Sequence, residues 1–354
     1  RSYPPGSEDR IKLQAALKEL RDIAPAEIPV YTGKLKDQRI PSDHNSLLAK
    51  YHEADPSIIE EAIEGALAIK PIWEAYPLAD RSAIFLKAAD LAAGKYRYKL
   101  LAATMLGQGK NAWQAEIDAA AETIDFWRFN VKYAHEMYQQ QPTKNSPAIG
   151  GNLPSAPALL GNVVLHKPSD GAILSNWIIM EILREAGLPD GVIQFIPGPA
   201  QQITEEILKS PDFTSLHFTG STEVFRKLWK DIGNNIGNYR SYPRIVGETG
   251  GKNFHVIHES ANLSNAVNQT VRGAFEYQGQ KCSACSRAYV PDSLWENFRS
   301  ELLKKHATIN VGPVDGQLNL YKIDCFSFRY KADEYEQILD LVDKTTSYAL
   351  TGSV

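Results

Sequence analysis

The first half of the chain is a series of segments in which apolar residues recur every three or four positions. Such spacing places the apolar side chains along one side of an α-helix. The segments predicted to be helical are 9–23, a helix that starts at 55–57, 78–94, 96–106 and 112–138. In the second of these, Asp55 predicts an N-cap and Pro56 the first helical position.

Between the first two helices, the pattern predicts a short strand at Ile28–Tyr31 followed by polar turns. The last helix carries three aromatic residues, Trp127, Phe129 and Tyr133. Aromatic residues at helical spacing could line a ligand site. We expect them to pack in the core instead, because this is the usual role of such residues.

From Asn162 onward, short apolar runs alternate with helical segments. The predicted strands are 163–167, 191–197, 215–219, 254–257 and 287–290. Strands that alternate with helices predict an α/β fold with a parallel sheet covered by helices on both faces. Such sheets bind ligands beyond the carboxyl ends of their strands.

Length and composition agree with a globular protein of two domains. The chain has 354 residues, of which 43% are hydrophobic, and a net charge of −4. This charge gives no reason to expect nucleic acid or an anionic membrane as a partner, and no apolar run is long enough to span a bilayer. The chain starts at Arg1 without a signal-like segment, so we expect any targeting peptide to be absent.

Cysteine usage points to a reducing compartment. The three cysteines, Cys282, Cys285 and Cys325, cannot all pair, and three are few for a disulfide-stapled secreted protein. Of the eight histidines, His135, His166, His217 and His255 are scattered without metal-ligand spacing among them. We expect each of them to be structural and predict no metal site.

Two glycine-rich motifs carry the candidate chemistry. Cys282 lies in Gly279-Gln280-Lys281-Cys282, among small residues that leave its sulfur accessible, and Glu248 lies in Gly247-Glu248-Thr249-Gly250-Gly251-Lys252. A thiolate can add to a carbonyl carbon, and a nearby carboxylate can activate the water that later releases the acyl group. The alternatives are an inert cysteine, a Cys-x-x-Cys pair with Cys285, and a solvated surface glutamate.

These motifs, in this order, resemble the aldehyde dehydrogenase superfamily. Longer runs are similar to the branch that oxidises L-glutamate γ-semialdehyde in mitochondria: 85–90, 105–110, 116–122 and 275–285. The resemblance covers about 8–311 and 330–354. It implies Cys282 as the nucleophile, Glu248 as the general base, Ser283 as a substrate contact and NAD as the cofactor. It also implies a homodimer in the mitochondrial matrix.

The cofactor signal is weaker in the residues themselves, because the Gly-x-Gly-x-x-Gly fingerprint is missing. Gly220 and Ser221 stand at a strand-to-helix junction, where free backbone N–H groups suit a pyrophosphate. The plain alternative is an ordinary serine N-cap. By resemblance, Lys167, Ser169 and Asp170 contact the adenosine ribose, and the acid favours NAD over NADP because it would repel a 2′-phosphate.

The expected organisation is an NAD-binding domain at 1–245, with a remnant of the oligomerisation segment near 139–149, and a catalytic domain at 246–354. The similarity breaks after Pro147 and after Gly312, and it stops at Val354 ahead of a substrate-binding glycine loop and an oligomerisation strand. The family's oxyanion-binding Asn falls in the first break, so we assign that role to neither Asn145 nor Asn152. Losing one such donor removes about 2.7–4 kcal/mol of transition-state stabilisation.

Three functions therefore remain open on sequence grounds. The first is NAD-dependent oxidation of glutamate semialdehyde through a cysteine thioester. The second is an aldehyde dehydrogenase for another small aldehyde. The third is an inactive or truncated homologue that retains nucleotide or partner binding, which the missing segments favour.

Overall fold

The computed structural model describes residues 1–23, 25–29, 33–139, 158–309, 312 and 314. These residues form two compact units. The first unit comprises Arg1–Gln108 and Ala112–Phe213, and the second comprises Gly109–Asn111 and the described residues from Thr214 onward. The fold is of the mixed α/β kind that the alternating pattern predicts.

The helices predicted in the first half of the chain are confirmed within one or two residues. The helices of the first unit are α1 (Glu8–Asp22), α2 (Pro56–Ala75), α3 (Leu78–Ala93), α4 (Arg97–Gln108), α5 (Ala112–Ala115), α6 (Glu122–Gln139), α7 (Ile173–Ala186) and α8 (Ala200–Ile207). Asp55 caps α2 as predicted, since its carboxylate accepts the Ile58 N–H at 3.0 Å. Within the first unit, α1 packs against α4, and α3 packs against α6 and α7.

The predicted long helix at 112–138 is interrupted by a π-helical segment, Glu116–Ala121, between α5 and α6. The prediction that its aromatic residues pack in the core is wrong for two of the three. Phe129 and Tyr133 are each 50% exposed and stack on each other, while Trp127 is half-buried. The buried side of α6 is made by smaller residues, Ile124, Val131 and Ala134.

The polar turns predicted after the first strand are in fact a β-hairpin. The strands are β1 (Ala26–Ile28), β2 (Lys34–Ile40) and β3 (Asp43–Glu53). β3 pairs in parallel with β1 and antiparallel with β2. β2 reads Lys-Leu-Lys-Asp-Gln-Arg-Ile, which lacks the apolar alternation by which a strand is recognised. Of its side chains, Gln38 and Ile40 are buried.

The remaining strands of the first unit form a parallel pair. β4 (Val164–His166) pairs with β5 (Ile193–Phe195), and α7 is the crossover between them. One face of this layer is packed by α2 and α8. The buried residues there are Ala54, Ile58, Ile59, Ala62, Ile196 and Ile203.

The second unit contains two further parallel pairs of strands. Its elements are β6 (Ser215–Thr219), α9 (Thr222–Asn234), β7 (Arg244–Glu248), β8 (Asn253–Val256), α10 (Leu263–Phe275), β9 (Cys285–Tyr289) and α11 (Asp292–His306). β6 pairs with β7, and β8 pairs with β9. The core over β8 and β9 is built by α10 and α11, with Val271, Phe298 and Leu302 buried in it. The parallel pairing of these strands agrees with the prediction. Neither β7 nor α11 was predicted from the sequence.

The two compact units meet in sequence at Phe213 and Thr214, ahead of the domain boundary expected at 245. Compactness does not identify which residues bind a nucleotide. The division into an NAD-binding and a catalytic domain therefore stays a prediction. In the part of the chain that the structure describes, no helix has both the length and the apolar character needed to cross a bilayer.

A buried arginine holds together the end of α2 and the segment before β4. Arg81 is 3% exposed, and its guanidinium donates to the carbonyl oxygens of Leu159, Glu74 and Tyr76 at 2.8–3.0 Å and to the Tyr138 hydroxyl at 2.9 Å. The last carbonyls of a helix have no partner within it, so Arg81 satisfies groups that would otherwise be buried unpaired.

We expect Arg81→Met to lower the free energy of unfolding by roughly 3 kcal/mol, because it leaves several buried carbonyls without a donor. Urea denaturation followed by circular dichroism measures this change. The matched control is Arg128→Met, whose guanidinium pairs at the surface with Asp90 at 3.0 Å and should contribute less than about 1 kcal/mol. Equal losses for the two variants would contradict the assignment.

Candidate functional site

Glu248 lies at the carboxyl end of a parallel strand pair. It is the last residue of β7 and pairs with Thr219, the last residue of β6. The N–H of Gly220 donates to the Glu248 carbonyl oxygen at 3.1 Å. The predicted residues Gly220, Ser221 and Glu248 therefore share one edge of this sheet, where parallel α/β sheets bind their ligands.

The segment that follows Glu248 contacts the backbone of Cys282. The Asn253 side-chain amide donates to the Cys282 carbonyl oxygen at 2.6 Å. A Cβ atom at Gly251 would lie 2.7 Å from the same oxygen, so only glycine fits there. Three residues of chain span at most about 11 Å, so Glu248 lies near the loop that carries Cys282. The sequence motifs of the thiol and the carboxylate are thus joined in space.

The two cysteines of the Cys-x-x-Cys sequence have different surroundings. Cys282 is exposed, whereas Cys285 is buried and its thiol donates to the Arg287 carbonyl oxygen at 3.3 Å. Ser283, the predicted substrate contact, is exposed beside Cys282. A nucleophile must be reached by its substrate, so this arrangement favours Cys282 over Cys285.

The turn before Cys282 has an unusual backbone. Tyr277 and Gln278 have φ values of 50° and 54°, and Gly279 follows with a φ of 70°. Left-handed conformations are unfavourable for residues with a Cβ atom, and they cluster at functional sites. The turn ends with the Gln280 N–H donating to the Tyr277 carbonyl oxygen at 2.9 Å. The helix α10 ends at Phe275, and this strained turn connects it to the loop of Cys282.

At the junction of β6 and α9, the structure shows the ordinary serine N-cap that is the alternative to pyrophosphate binding. Ser221 is the N-cap of α9, and its hydroxyl accepts the Val224 N–H at 3.2 Å. A Cβ atom at position 220 would meet the Phe218 ring at 2.6 Å, which accounts for the glycine. The cofactor role of Gly220 and Ser221 therefore remains a prediction.

Lys167, Ser169 and Asp170 lie in the first unit, just beyond the carboxyl end of β4. Lys167 is half-buried, and Ser169 and Asp170 are exposed. Burial, together with the negative charges of Asp170 and Glu53, raises the pKa of Tyr51 to about 12. The turn thus carries an amine, a hydroxyl and a carboxyl group, all of which can hydrogen-bond to hydroxyl groups.

Of the four histidines predicted to be structural, three lie within hydrogen-bonding distance of a side-chain partner, and the fourth, His217, is exposed on β6. His166 lies 3.0 Å from the Asn176 side-chain oxygen, and burial lowers the pKa of this imidazole. His255 lies 2.8 Å from the Thr270 hydroxyl, and His135 lies 3.3 Å from the Ser82 hydroxyl. Within the described ranges, no group of three or more His, Cys, Asp or Glu residues could hold a metal ion.

Several predicted features lie outside the described residues. These are residues 30 and 31 of the predicted first strand, residues 140–149 of the predicted oligomerisation remnant (with Asn145 and Pro147), Asn152, Cys325 and the segment 330–354. Asn253, which directly follows the Gly250-Gly251-Lys252 run, was missed by sequence reasoning. The contact it makes is with a residue far along the chain, and motif reading does not reveal such contacts.

Comparison with known proteins identifies the class. A profile of the aldehyde dehydrogenase family matches residues 34–150 and 145–320, so the chain belongs to this family. The two matched segments join near Pro147, where the sequence analysis puts a missing segment. A catalytic cysteine is typical of the family.

Several similar proteins carry the same name. The chain is 56% identical over 344 residues to Delta-1-pyrroline-5-carboxylate dehydrogenase of Agaricus bisporus, covering 88% of this chain and 63% of the relative. It is 40% identical to the human protein of that name, described as mitochondrial, covering 100% of this chain and 79% of the relative. The crystal structure of the Mycobacterium tuberculosis enzyme bound with NAD superimposes with a TM-score of 0.86 at 39% identity, covering 97% of this chain and 69% of that one.

The chain is shorter than these relatives. It spans 63% of the length of the Agaricus protein. The alignment with the human protein extends over 445 positions, whereas the chain has 354 residues, so the relative has residues without a counterpart here. This agrees with the breaks seen in the sequence.

Proposed function

We propose that this chain is an NAD-dependent dehydrogenase that oxidises L-glutamate γ-semialdehyde, formed by ring-opening of pyrroline-5-carboxylate, to L-glutamate in proline catabolism. The observation that carries the proposal is the contact of Gly251 and Asn253, which follow Glu248 closely, with the backbone of Cys282. Family membership and the shared name of the relatives support it.

In the proposed reaction, the Cys282 thiolate adds to the aldehyde carbon and forms a thiohemiacetal. Loss of hydride from that carbon leaves a thioester on the cysteine. Glu248 takes a proton from water, and the resulting hydroxide equivalent attacks the thioester carbon and releases glutamate and the thiol. Asn253 fixes the Cys282 backbone during both steps.

The residues of the chain fit NAD as the cofactor. Lys167, Ser169 and Asp170 would hold the adenosine ribose, because the turn presents a cation, a hydroxyl and an acceptor together. Gly220 and Ser221 would lie against the pyrophosphate at the start of α9, where a helix dipole favours an anion. When bound, NAD supplies the acceptor for the hydride.

Absorbance at 340 nm, which follows NADH formation, tests the proposal. With pyrroline-5-carboxylate, NAD and the full chain, we expect one glutamate to form for each NADH. A panel of aliphatic aldehydes at the same concentration tests the substrate class. Faster turnover of the aliphatic aldehydes would overturn the substrate assignment and favour an aldehyde dehydrogenase for another small aldehyde.

The second candidate is an inactive homologue that keeps nucleotide or partner binding. The observation that favours it is the set of segments present in the human relative and absent from this chain. Calorimetric binding of NAD without NADH formation from any aldehyde would support this candidate. NADH formation would exclude it.

The assembly and the location of the protein are proposals as well. We propose a homodimer in the mitochondrial matrix, and the mitochondrial name of the human relative supports the organelle. Sedimentation velocity measures the oligomeric state, and cell fractionation measures the location. A monomer at micromolar concentration would contradict the dimer.

We expect Gly251→Ala to lower kcat about 100-fold, because the added methyl would displace the Cys282 carbonyl and a shift of about 1 Å at a reacting group has an effect of this size. NAD affinity should stay within about twofold. The matched control is Gly237→Ala in the same unit, where a Cβ meets nothing within 4 Å. An unchanged kcat in Gly251→Ala would refute the close approach.

A further inference from the structure

Gln38 is buried, whereas the other polar side chains of its strand, β2, are more exposed. It lies in β2, is 2% exposed and pairs with Ala49 in the sheet. Its side-chain N–H donates to the Gly171 carbonyl oxygen at 2.7 Å, and its side-chain oxygen accepts the Leu174 N–H at 2.8 Å. The buried Gln38 amide is hydrogen-bonded at both its N–H and its oxygen. It therefore fixes the backbone at Gly171 and Leu174, which lie far along the chain.

That segment is the beginning of α7, which has no cap of its own. The residue at the N-cap position is Ala172, and no side chain there bonds to the helix. The first N–H groups of a helix lack partners within it. Gln38 supplies one for Leu174 from a strand 136 positions earlier in the chain.

Neighbouring residues leave room for this contact. A Cβ atom at Gly107, near the end of α4, would lie 2.6 Å from the Gln38 side-chain nitrogen and 3.0 Å from the Gly171 oxygen. Any larger residue at 107 would therefore displace Gln38 or the turn. The absence of a side chain at Gly107 thus allows Gln38 to make its hydrogen bond to Gly171.

The turn that Gln38 reaches carries the predicted ribose contacts. The Ala172 N–H donates to the Ser169 carbonyl oxygen at 2.8 Å, which closes the turn. On the other side, the Asn176 amide donates to the Ala172 carbonyl oxygen at 2.8 Å. Ser169 and Asp170 thus stand on a backbone that is fixed from both sides, with Gln38 as the support from the hairpin.

We propose that Gln38 is a positioning residue that holds the 167–170 turn in the orientation that binds the adenosine ribose, and thereby sets the affinity for NAD. This inference rests on the proposed function. Gln38 itself touches neither cofactor nor substrate in this account. Its loss should therefore change NAD binding and leave the thiol chemistry as it is.

The first test is Gln38→Leu, which removes both hydrogen bonds at similar side-chain volume. We expect the Kd for NAD, measured by calorimetry, and the KM for NAD to rise about tenfold, while kcat and the KM for the aldehyde stay within about twofold. The control is Trp73→Phe, which removes a buried bond of the same unit, from the indole N–H to the Ala158 oxygen at 2.7 Å. That variant should leave NAD affinity unchanged.

The second variant, Gln38→Glu, separates positioning from general destabilisation. A protonated carboxyl can donate to Gly171 and accept from Leu174, whereas an ionised one has no donor. Burial raises the pKa of such a carboxyl. Relative to wild type at the same pH, its NAD affinity should be nearly normal at about pH 5.5 and weakened about tenfold at about pH 8.5.

The outcomes are distinct. Wild-type protein that binds no NAD would overturn the proposed function and this inference with it. Normal NAD affinity in Gln38→Leu, with wild type binding, would overturn the inference alone. If Gln38→Leu fails to fold, Gln38→Glu decides, because a pH-independent affinity ratio would refute the role of the Gly171 and Leu174 bonds.

Discussion

Replacing the exposed cysteine, Cys282→Ser, should lower NADH formation from glutamate semialdehyde by roughly 10⁴-fold or more. A serine hydroxyl is far less nucleophilic at neutral pH than a thiolate, and the proposed base, Glu248, acts on water and not on this side chain. NAD affinity should be unchanged, because Cys282 is not among the residues that hold the nucleotide. Steady-state absorbance and calorimetry measure the two quantities.

The neighbouring cysteine provides the matched control. Cys285 is buried, and its thiol is bonded to the Arg287 carbonyl oxygen, so Cys285→Ser keeps a donor at that place. Its turnover should remain within about threefold of wild type. Wild-type turnover in Cys282→Ser, or a greater loss in Cys285→Ser, would show that the nucleophile has been assigned to the wrong residue.

The second large effect is expected at Glu248. Glu248→Gln removes the base that activates water, so steady-state turnover should fall by about 10²–10⁴-fold. Formation of the thioester does not need this base. Stopped-flow mixing should therefore still show a rapid burst of NADH, close to one equivalent per site, followed by a slow phase.

Glu259→Gln is the control for Glu248→Gln. Glu259 is an exposed carboxylate of the same unit, and its loss should leave both the burst and the steady state unchanged. If the burst also disappeared in Glu248→Gln, the carboxylate would act before or during thioester formation. Unchanged turnover would remove Glu248 from the mechanism.

Local signals were read correctly from the sequence because their causes are local. The cap at Asp55, the helix Leu78–Ala93 and the strand Ser215–Thr219 each depend on neighbouring residues. The hairpin of β2 and β3 was missed because β2 is mostly polar, and its buried Gln38 bonds to a turn more than a hundred positions away. Periodicity cannot register such a contact.

The aromatic residues of α6 show a different limit. Helical spacing tells which residues share a side of a helix, but it does not tell which side is buried. Ile124, Val131 and Ala134 occupy the buried side, which leaves Phe129 and Tyr133 exposed. The large apolar side chains of Phe129 and Tyr133 favoured the side of α6 that is in fact exposed.

For the candidate site, the sequence supplied the reactive groups, and the structure supplied the residues that hold them. Cys282 and Glu248 could be proposed from motif chemistry. The roles of Asn253 and Gly251 became visible only through the Cys282 carbonyl oxygen, which both approach closely. The backbone strain at Tyr277 and Gln278 has no signature in residue type either.

The central claim is that Cys282 carries the acyl group during turnover. The most direct measurement is mass spectrometry of the peptide containing Cys282 after acid quenching of Glu248→Gln mixed with pyrroline-5-carboxylate and NAD. We expect a glutamyl thioester on Cys282 that forms only when both pyrroline-5-carboxylate and NAD are present. An unmodified Cys282 peptide beside a measured burst of NADH, or a glutamyl group on Cys285, would contradict it.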